Sequence, residues 1–223
     1  MLNPHSRFQK GIQIVHGLTF GGKNLPHNSV ELSTLIGSRI CHDLISPIGA
    51  IGNGLELLLM GMPPSPELSL IAESVENANA RVRFFRVAFG KAGEGQSVTL
   101  QEINTILRDI SKGARITVEY QSDIPPDRPS LRAAFLAVMC LESALPLGGD
   151  IVINHDGAAW VLTGQGRRIQ MDESLWPLLQ SAPVNPLEVS AGQVQFALLP
   201  GLLGQLGRTA KVTQGDTSAS ITF

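Results

Sequence analysis

A histidine and an aspartate stand next to each other in the stretch CHDLISPIGAIGNGLELL, which covers residues 41–58. A neutral imidazole can act as a nucleophile or take up a proton near neutral pH, and a neighbouring carboxylate can orient the ring or accept its proton. The pair therefore supports the hypothesis of nucleophilic or acid–base chemistry at His42, with Asp43 as its partner. The alternative is an ordinary exposed histidine on the surface of a helix.

One proline and several glycines follow this pair, among them Pro47, Gly49, Gly52 and Gly54. In a helix interior each glycine costs about 0.5–1 kcal/mol relative to alanine, and a proline costs about 3 kcal/mol, so helix stability does not favour them. A proline at this place would bend the helix locally, and glycines would let another backbone approach closely. Close contact with a neighbouring helix is the alternative explanation for the glycines.

The histidine segment lies within a helix that the sequence predicts from Asn28 to Met62. Apolar residues recur there at intervals of three or four and form one stripe along the helix. A second stripe of small and polar residues lies opposite, and its members are Ser38, His42, Ser46, Gly49, Asn53 and Glu56. His42 is therefore predicted to face solvent, and the place of Gly49 on the same stripe favours a docked partner there.

A second helix is predicted after the proline-rich turn at residues 62–66, where Ser65 suits the N-cap position. Its apolar residues alternate by three and four up to Phe89, a spacing typical of helical bundles. The predicted dimer or bundle seam comprises Leu68, Ile71, Val75, Val82 and Phe85. We expect an antiparallel hairpin that pairs with a second copy as a dimeric four-helix bundle; the alternative is a hairpin packed on its own C-terminal part.

Helix and strand patterns alternate after residue 97. The sequence predicts a helix, a strand, a strongly apolar helix, two strands joined at Asp156-Gly157, two further helical stretches and a closing hairpin. This order is typical of an α+β fold with one sheet covered by helices. The expected division is a poorly ordered extension over 1–27, a helical hairpin over 28–92 and an α/β domain over 97–223.

Net charge, apolar runs and cysteine positions limit the expected partners and the expected cellular compartment. The net charge of −2 provides no basic field, so nucleic acid is not an expected partner. No uninterrupted run of 18 apolar residues occurs, so no membrane span is expected. Cys41 and Cys140 lie in apolar helical runs and are expected to be buried free thiols in the reducing cytoplasm, a disulfide between them being the alternative.

The segment HDLISP, residues 42–47, resembles the H-box of histidine kinases, in which a histidine, an acidic residue and a later proline recur. The predicted hairpin resembles their dimerisation and histidine phosphotransfer domain. Residues 135–153 resemble the kinase helix that ends in a Gly-Gly turn and a strand, and residues 192–223 resemble the last helix and closing strands of the histidine kinase ATPase domain.

The sequence departs from this resemblance at the ATP site. Glu142-Ser143-Ala144 stands where the kinase helix carries a metal-binding asparagine, and no Asp-x-Gly-x-Gly occurs between Ile151 and Pro186. The glycine-rich lid is reduced to residues 191–193, and GQG at residues 164–166 is more typical of a turn at a strand end. Transfer from ATP needs Mg²⁺ and an ordered phosphate cradle, so we expect no ATP binding, no metal and no cofactor on this chain.

This combination is similar to the ChpT-type histidine phosphotransferases. The resemblance implies that His42 accepts a phosphoryl group from the aspartyl phosphate of a hybrid kinase receiver domain and passes it to the receiver domains of response regulators, with Mg²⁺ held by the receiver. Asp43 would orient the imidazole. Contacts with the phosphoryl group or the receiver are expected from Arg39, Ser46, Pro47, Gly49, Asn53 and Glu56.

Two other functions stay open at the level of sequence. One is a non-catalytic dimeric docking module or inhibitor that binds receiver domains without carrying phosphate. The other is a divergent but active histidine kinase, which nucleotide binding would reveal. A general acid–base hydrolase lacks a second histidine, a nucleophile elbow or a pair of carboxylates.

Overall fold

The computed structural model describes residues 25–63, 65–90, 98–180 and 189–223, of which residues 25–33 are described as backbone only. The predicted boundary at 92–97 lies outside the described residues, as do residues 1–24 of the predicted extension. Its last three residues belong to the first helix, which begins at Leu25 and not at Asn28. Pro26 is compatible with this start, because the first turn of a helix leaves its N–H groups unpaired anyway.

Two long helices form the predicted hairpin. Helix α1 spans Leu25–Gly61 and stays helical through Pro47, and helix α2 spans Pro66–Phe89. Ser65 is the N-cap of α2, and its hydroxyl accepts a hydrogen bond from the Leu68 N–H at 3.2 Å. The end of the first helix before Pro63 and the cap at Ser65, both predicted from the sequence, are therefore present.

Glycines permit the closest approach of the two helices. A Cβ added to Gly37 would lie 2.8 Å from the Cβ of Phe89, and one added to Gly52 would lie 3.7 Å from Val75. Gly49 and Gly54 have no atom within 4 Å of such a Cβ. Close helix contact therefore explains Gly37, whereas an alanine at position 52 would make an ordinary van der Waals contact with α2 and Gly49 leaves open space.

The rest of the chain is one sheet with helices on it, as the α+β expectation requires. The elements are α3 (Leu100–Ser111), β1 (Ile116–Tyr120), α4 (Arg128–Ala144), β2 (Gly149–His155), β3 (Trp160–Gln165), α5 (Val194–Gln205), β4 (Lys211–Gln214) and β5 (Ser218–Thr222), with short 3₁₀ turns at Trp176–Gln180 and Ala191–Gln193. The strand order is β1-β2-β3-β5-β4, with β1 and β2 parallel and the other neighbours antiparallel.

The C-terminal half of α2 belongs to the same hydrophobic core as α4 and the sheet. Phe84 of α2 is fully buried and stacks on Phe135 of α4, with ring centroids 4.7 Å apart and an interplanar angle of 13°. The alternative of a hairpin packed on its own C-terminal part therefore holds for this half of α2. The half near the turn extends beyond the core.

Two arginines of α4 bind the end of α2. The Arg128 guanidinium donates to the Arg86 carbonyl at 2.9 Å, and that of Arg132 donates to the Ala88 carbonyl at 3.1 Å. Arg132 also donates to the hydroxyl of Thr34 on α1 at 2.8 Å. The last carbonyls of a helix lack partners within the helix and form its negative end, so these cations satisfy and stabilise the end of α2.

An apolar stripe of α1 is exposed in the single chain. It comprises Ile36, Ile40, Leu44, Ile51 and Leu58, and Ile71 of α2 is exposed beside it. By length and composition alone, the stretch Thr34–Gly61 could cross a membrane, contrary to the expectation from uninterrupted apolar runs. An average over the helix tolerates the isolated polar residues that break such a run. One helix of this kind is weak support for a span, because partner-binding helices have the same composition.

Both cysteines are free and buried, so the disulfide alternative is excluded. Burial raises the pKa of the Cys41 thiol and raises that of Cys140 further, because the charged thiolate is poorly solvated in the protein interior.

We predict that Gly37→Ala destabilises the protein by about 1–3 kcal/mol, because the added methyl group would press against the Phe89 side chain and its carbonyl oxygen, 3.0 Å away. Urea unfolding followed by circular dichroism measures the change. Gly49→Ala on the same helix is the matched control, and it should stabilise by about 0.5–1 kcal/mol because alanine favours helix and meets no atom. Effects of the same sign would contradict the assigned contacts.

Candidate functional site

His42 is held out in solvent near the middle of α1. Its side chain is 84% exposed, whereas the preceding residue, Cys41, is buried against α2. Successive residues of an α-helix are turned by about 100°, so the burial of Cys41 directs His42 away from the helix contact. The exposure predicted from the polar stripe is present in the structure.

Asp43 connects the imidazole to an arginine. Its carboxylate lies 3.2 Å from Nδ1 of His42 and accepts a hydrogen bond from Nε of Arg39 at 2.7 Å. The contact with His42, with a further contribution from Arg39, lowers the pKa of the Asp43 carboxyl. An ionised carboxylate only accepts hydrogen bonds, so the contact requires a proton on Nδ1, and in the neutral ring the Nε2 lone pair then points to solvent.

The handedness of the helices determines what stands beside His42. Helices α1 and α2 run antiparallel and meet along a line that includes Gly52 and Val75. Because both are right-handed, the residue after a contact residue turns to the same side of the hairpin on each helix. On α1 that side carries His42, which follows Cys41, and on α2 it carries Glu76, which follows Val75.

Helix α3 of the mixed domain lies on this side of the hairpin. Glu76 binds Lys112, just after α3, at 2.7 Å, and Arg83 of α2 binds Asp109 of α3 at 2.8 Å. The side of α1 that carries His42 is therefore the floor of a groove whose wall is α3, whereas the ion pair of Arg81 with Glu142 places α4 toward the other side of α2. The exposed apolar stripe faces the other way.

Four of the other predicted contact residues share the floor with His42. They are Ser46, Gly49, Asn53 and Glu56, and we call these five residues the histidine face. Arg39 lies one turn before His42, and its side chain, 76% exposed, reaches Asp43. Pro47 is not on this face: five helical residues correspond to about 140° around the axis, which directs its exposed ring toward the apolar stripe.

The five residues of the predicted seam on α2 differ in their exposure. Val75 and Val82 face inward within the hairpin, with Val75 against Gly52 of the same chain and Val82 buried. Phe85 and Leu68 are half-buried, and only Ile71 of the five is strongly exposed. Most of this seam therefore holds the hairpin itself together.

The positions that departed from the kinase pattern have structural partners in this chain. The Glu142 carboxylate forms an ion pair with Arg81 of α2 at 3.2 Å, and the Ser143 hydroxyl donates to the Cys140 carbonyl at 2.6 Å. A Cβ at Gly166 would lie 2.7 Å from Leu145, so this glycine serves a tight turn at the end of β3. Within the described part of the chain, no three His, Cys, Asp or Glu side chains are grouped as metal ligands.

The arginines that fix the domain were not found by sequence reasoning. Arg128 and Arg132 begin α4, where the positive end of the helix dipole disfavours cations, and this placement is a signal that they serve another element. Arg81 and Arg83 of α2 carry no local sequence signal of their partners, because nothing nearby in the chain distinguishes an arginine with a distant partner.

Comparison with known proteins supplies independent information on the chain. The family described as histidine phosphotransferase C-terminal domain matches residues 100–218. A protein phosphotransferase ChpT of Brucella abortus (strain 2308) is 30% identical over 181 residues, which cover 77% of this chain and 86% of the relative. A solved structure described as a bacterial phosphotransferase has a TM-score of 0.64 at 23% identity, over 89% of this chain and 97% of the other, a likeness that concerns the fold alone.

We predict that Asp43→Asn moves the neutral His42 ring away from the Nδ1–H tautomer, because the amide removes the charge that holds this proton. ¹⁵N NMR of the imidazole measures the tautomer. The free energy of unfolding should change by less than about 0.5 kcal/mol, since the Arg39 ion pair is exposed. Since its pKa is lowered, Asp43 keeps its charge through mildly acidic pH and loses it only below its ordinary range. A wild-type tautomer that changes with a carboxyl titration near neutral pH would contradict this account.

Proposed function

The chain belongs to the histidine phosphotransferase family and is a phosphotransferase of phosphorelay signalling, and we propose that His42 is the residue that carries the phosphoryl group. The observation that carries this proposal is the exposed imidazole with its Nε2 free and its Nδ1 held by Asp43. A phosphoryl carrier needs an accessible nucleophilic lone pair, and this arrangement provides one.

The proposed donor is the aspartyl phosphate of a hybrid kinase receiver domain. The Nε2 lone pair attacks phosphorus, a P–N bond forms, and the P–O bond to the receiver aspartate breaks, so the aspartate leaves as a carboxylate. The imidazole keeps its Nδ1 proton and becomes positively charged, and the adjacent Asp43 carboxylate stabilises that charge. The same steps in reverse transfer the group to the aspartate of a response regulator.

We propose that this chain supplies the nucleophile and its orientation, while the receiver supplies the Mg²⁺ that neutralises the transferring group. Arg39 is placed to bind a phosphoryl oxygen, because its exposed guanidinium lies one turn from His42. ATP has no proposed part in the reaction. The engagement of Glu142 with Arg81, at the position where kinases bind metal, supports this view.

The histidine face is the proposed docking surface for the receiver domain. Beyond His42 it offers small side chains, with open space at Gly49, so the bulk of a partner meets little obstruction. Asn53 and Glu56 are exposed further along and provide polar contacts. The groove wall on the same side provides a second surface against which a globular partner can rest.

The exposed apolar stripe supports a homodimer in the form of a four-helix bundle. An apolar surface of this length on a single chain is typical of a protein interface. The stripe faces away from the histidine face, so a second copy would cover it and leave both His42 residues accessible. Because its partner in the hairpin, α2, carries several charged side chains, we assign the stripe to a second copy in the cytoplasm and not to a membrane.

The test of the carrier role uses purified protein and a receiver domain phosphorylated on its aspartate. Wild type should acquire phosphate that is acid-labile and base-stable, His42→Ala should acquire none, and ATP alone should label neither protein. Labelling of the protein by ATP alone would instead support the alternative of an active histidine kinase. Binding of the receiver without any transfer would leave only the docking module.

The test of the dimer is size-exclusion chromatography with light scattering. Ile51→Glu should yield monomers, because Ile51 is 56% exposed in the apolar stripe and a buried carboxylate there would be unpaired. Leu147→Glu is the matched control: Leu147 is 62% exposed in the turn between α4 and β2, outside the hairpin, so the dimer should persist. A monomeric wild-type protein would contradict the proposed four-helix bundle.

A further inference from the structure

Arg132 joins three elements through one buried side chain. The residue is 7% exposed and belongs to α4, and its guanidinium donates to the Ala88 carbonyl of α2 and to the Thr34 hydroxyl of α1. Thr34 is itself 6% exposed and lies 98 residues away in sequence. The mixed domain is thereby bonded to both helices of the hairpin at one point.

The energetics of this side chain suggest a role other than stability. A buried charge costs free energy to remove from water, and apolar replacements of buried ionic groups are often neutral or stabilising. Arg132 has two neutral acceptors, the Ala88 carbonyl and the Thr34 hydroxyl, for its fixed fork of donors. The donors of a guanidinium have fixed directions, so this side chain fixes the relative orientation of the elements that it bridges, which an apolar side chain would not do.

The orientation that Arg132 fixes is that of the groove wall relative to α1. Thr34 precedes His42 by eight residues on the same helix, which corresponds to roughly 12 Å. Helix α3 of the domain forms the wall on the His42 side of the hairpin. Among the described residues, the ion pairs between hairpin and domain involve α2, whereas the hydrogen bond of Arg132 to Thr34 joins the domain to the helix that carries His42.

We infer that Arg132, through Thr34, is a positioning residue for phosphoryl transfer, and that it fixes the angle between the groove wall and α1 at which a receiver domain brings its aspartyl phosphate to His42. The inference rests on the proposed function. Arg132 touches no reacting atom, so its effect should depend on the size of the phosphoryl donor. A small donor reaches the exposed imidazole from solvent at any angle of the wall, but a receiver domain does not.

Two phosphoryl donors and three variants test this inference. The donors are a phosphorylated receiver domain and phosphoramidate. Thr34→Val removes the acceptor at nearly constant volume, Thr34→Ser keeps it and is the matched control, and Arg132→Lys keeps the charge but not the fork. Circular dichroism and urea unfolding show which variants are folded, and Thr34→Val remains informative if the change at the buried arginine prevents folding.

With the receiver as donor, Thr34→Val and Arg132→Lys should lower kcat/KM by about 10- to 100-fold, mainly through KM, while Thr34→Ser stays near wild type. With phosphoramidate, all variants should label His42 at nearly the wild-type rate. Folded variants with wild-type receiver kinetics, or an equal loss with both donors, would overturn the positioning role. Failure of the proposed function would be distinct, because wild type itself would then acquire no phosphate from the receiver.

Discussion

The hydrogen bonds between the first turn of α4 and the last carbonyls of α2 determine how the two parts of the chain meet. The end of a helix has unpaired carbonyl groups, and burial without partners would be costly. Arg132 provides such a partner for the Ala88 carbonyl, Arg128 adds a second donor to the Arg86 carbonyl beside the Gly90 N–H, and the stacked rings of Phe84 and Phe135 fill the space beside them. As a result, the hairpin rises from the core of the domain with its turn region free.

This attachment gives the hairpin two unlike sides. Helix α3 covers part of one side and leaves the histidine face as the floor of a groove. The other side exposes the apolar stripe. A carrier protein benefits from such a separation, since the surface that pairs with a second copy does not compete with the surface that meets a receiver domain.

The sheet is stabilised by apolar packing of α4 on its strands, and α5 packs against α4 in the same hydrophobic core. Side chains also cover the sheet edges: the Ser111 hydroxyl accepts from the Val118 N–H at 2.9 Å, and the Gln180 side chain accepts from the Val212 N–H at 3.4 Å. Protected edges of this kind limit strand pairing with other chains.

The sequence by itself determined the local features: both long helices, the cap at Ser65, the α+β order of elements and the exposure of His42. These follow from periodicity, caps and turn residues, which act over a few positions. Only the tertiary structure decided that Phe89 lies against Gly37, that Phe84 stacks on Phe135, and that Arg132 reaches Thr34. Such contacts join residues far apart in the chain, and no local spacing encodes which distant group a side chain will meet.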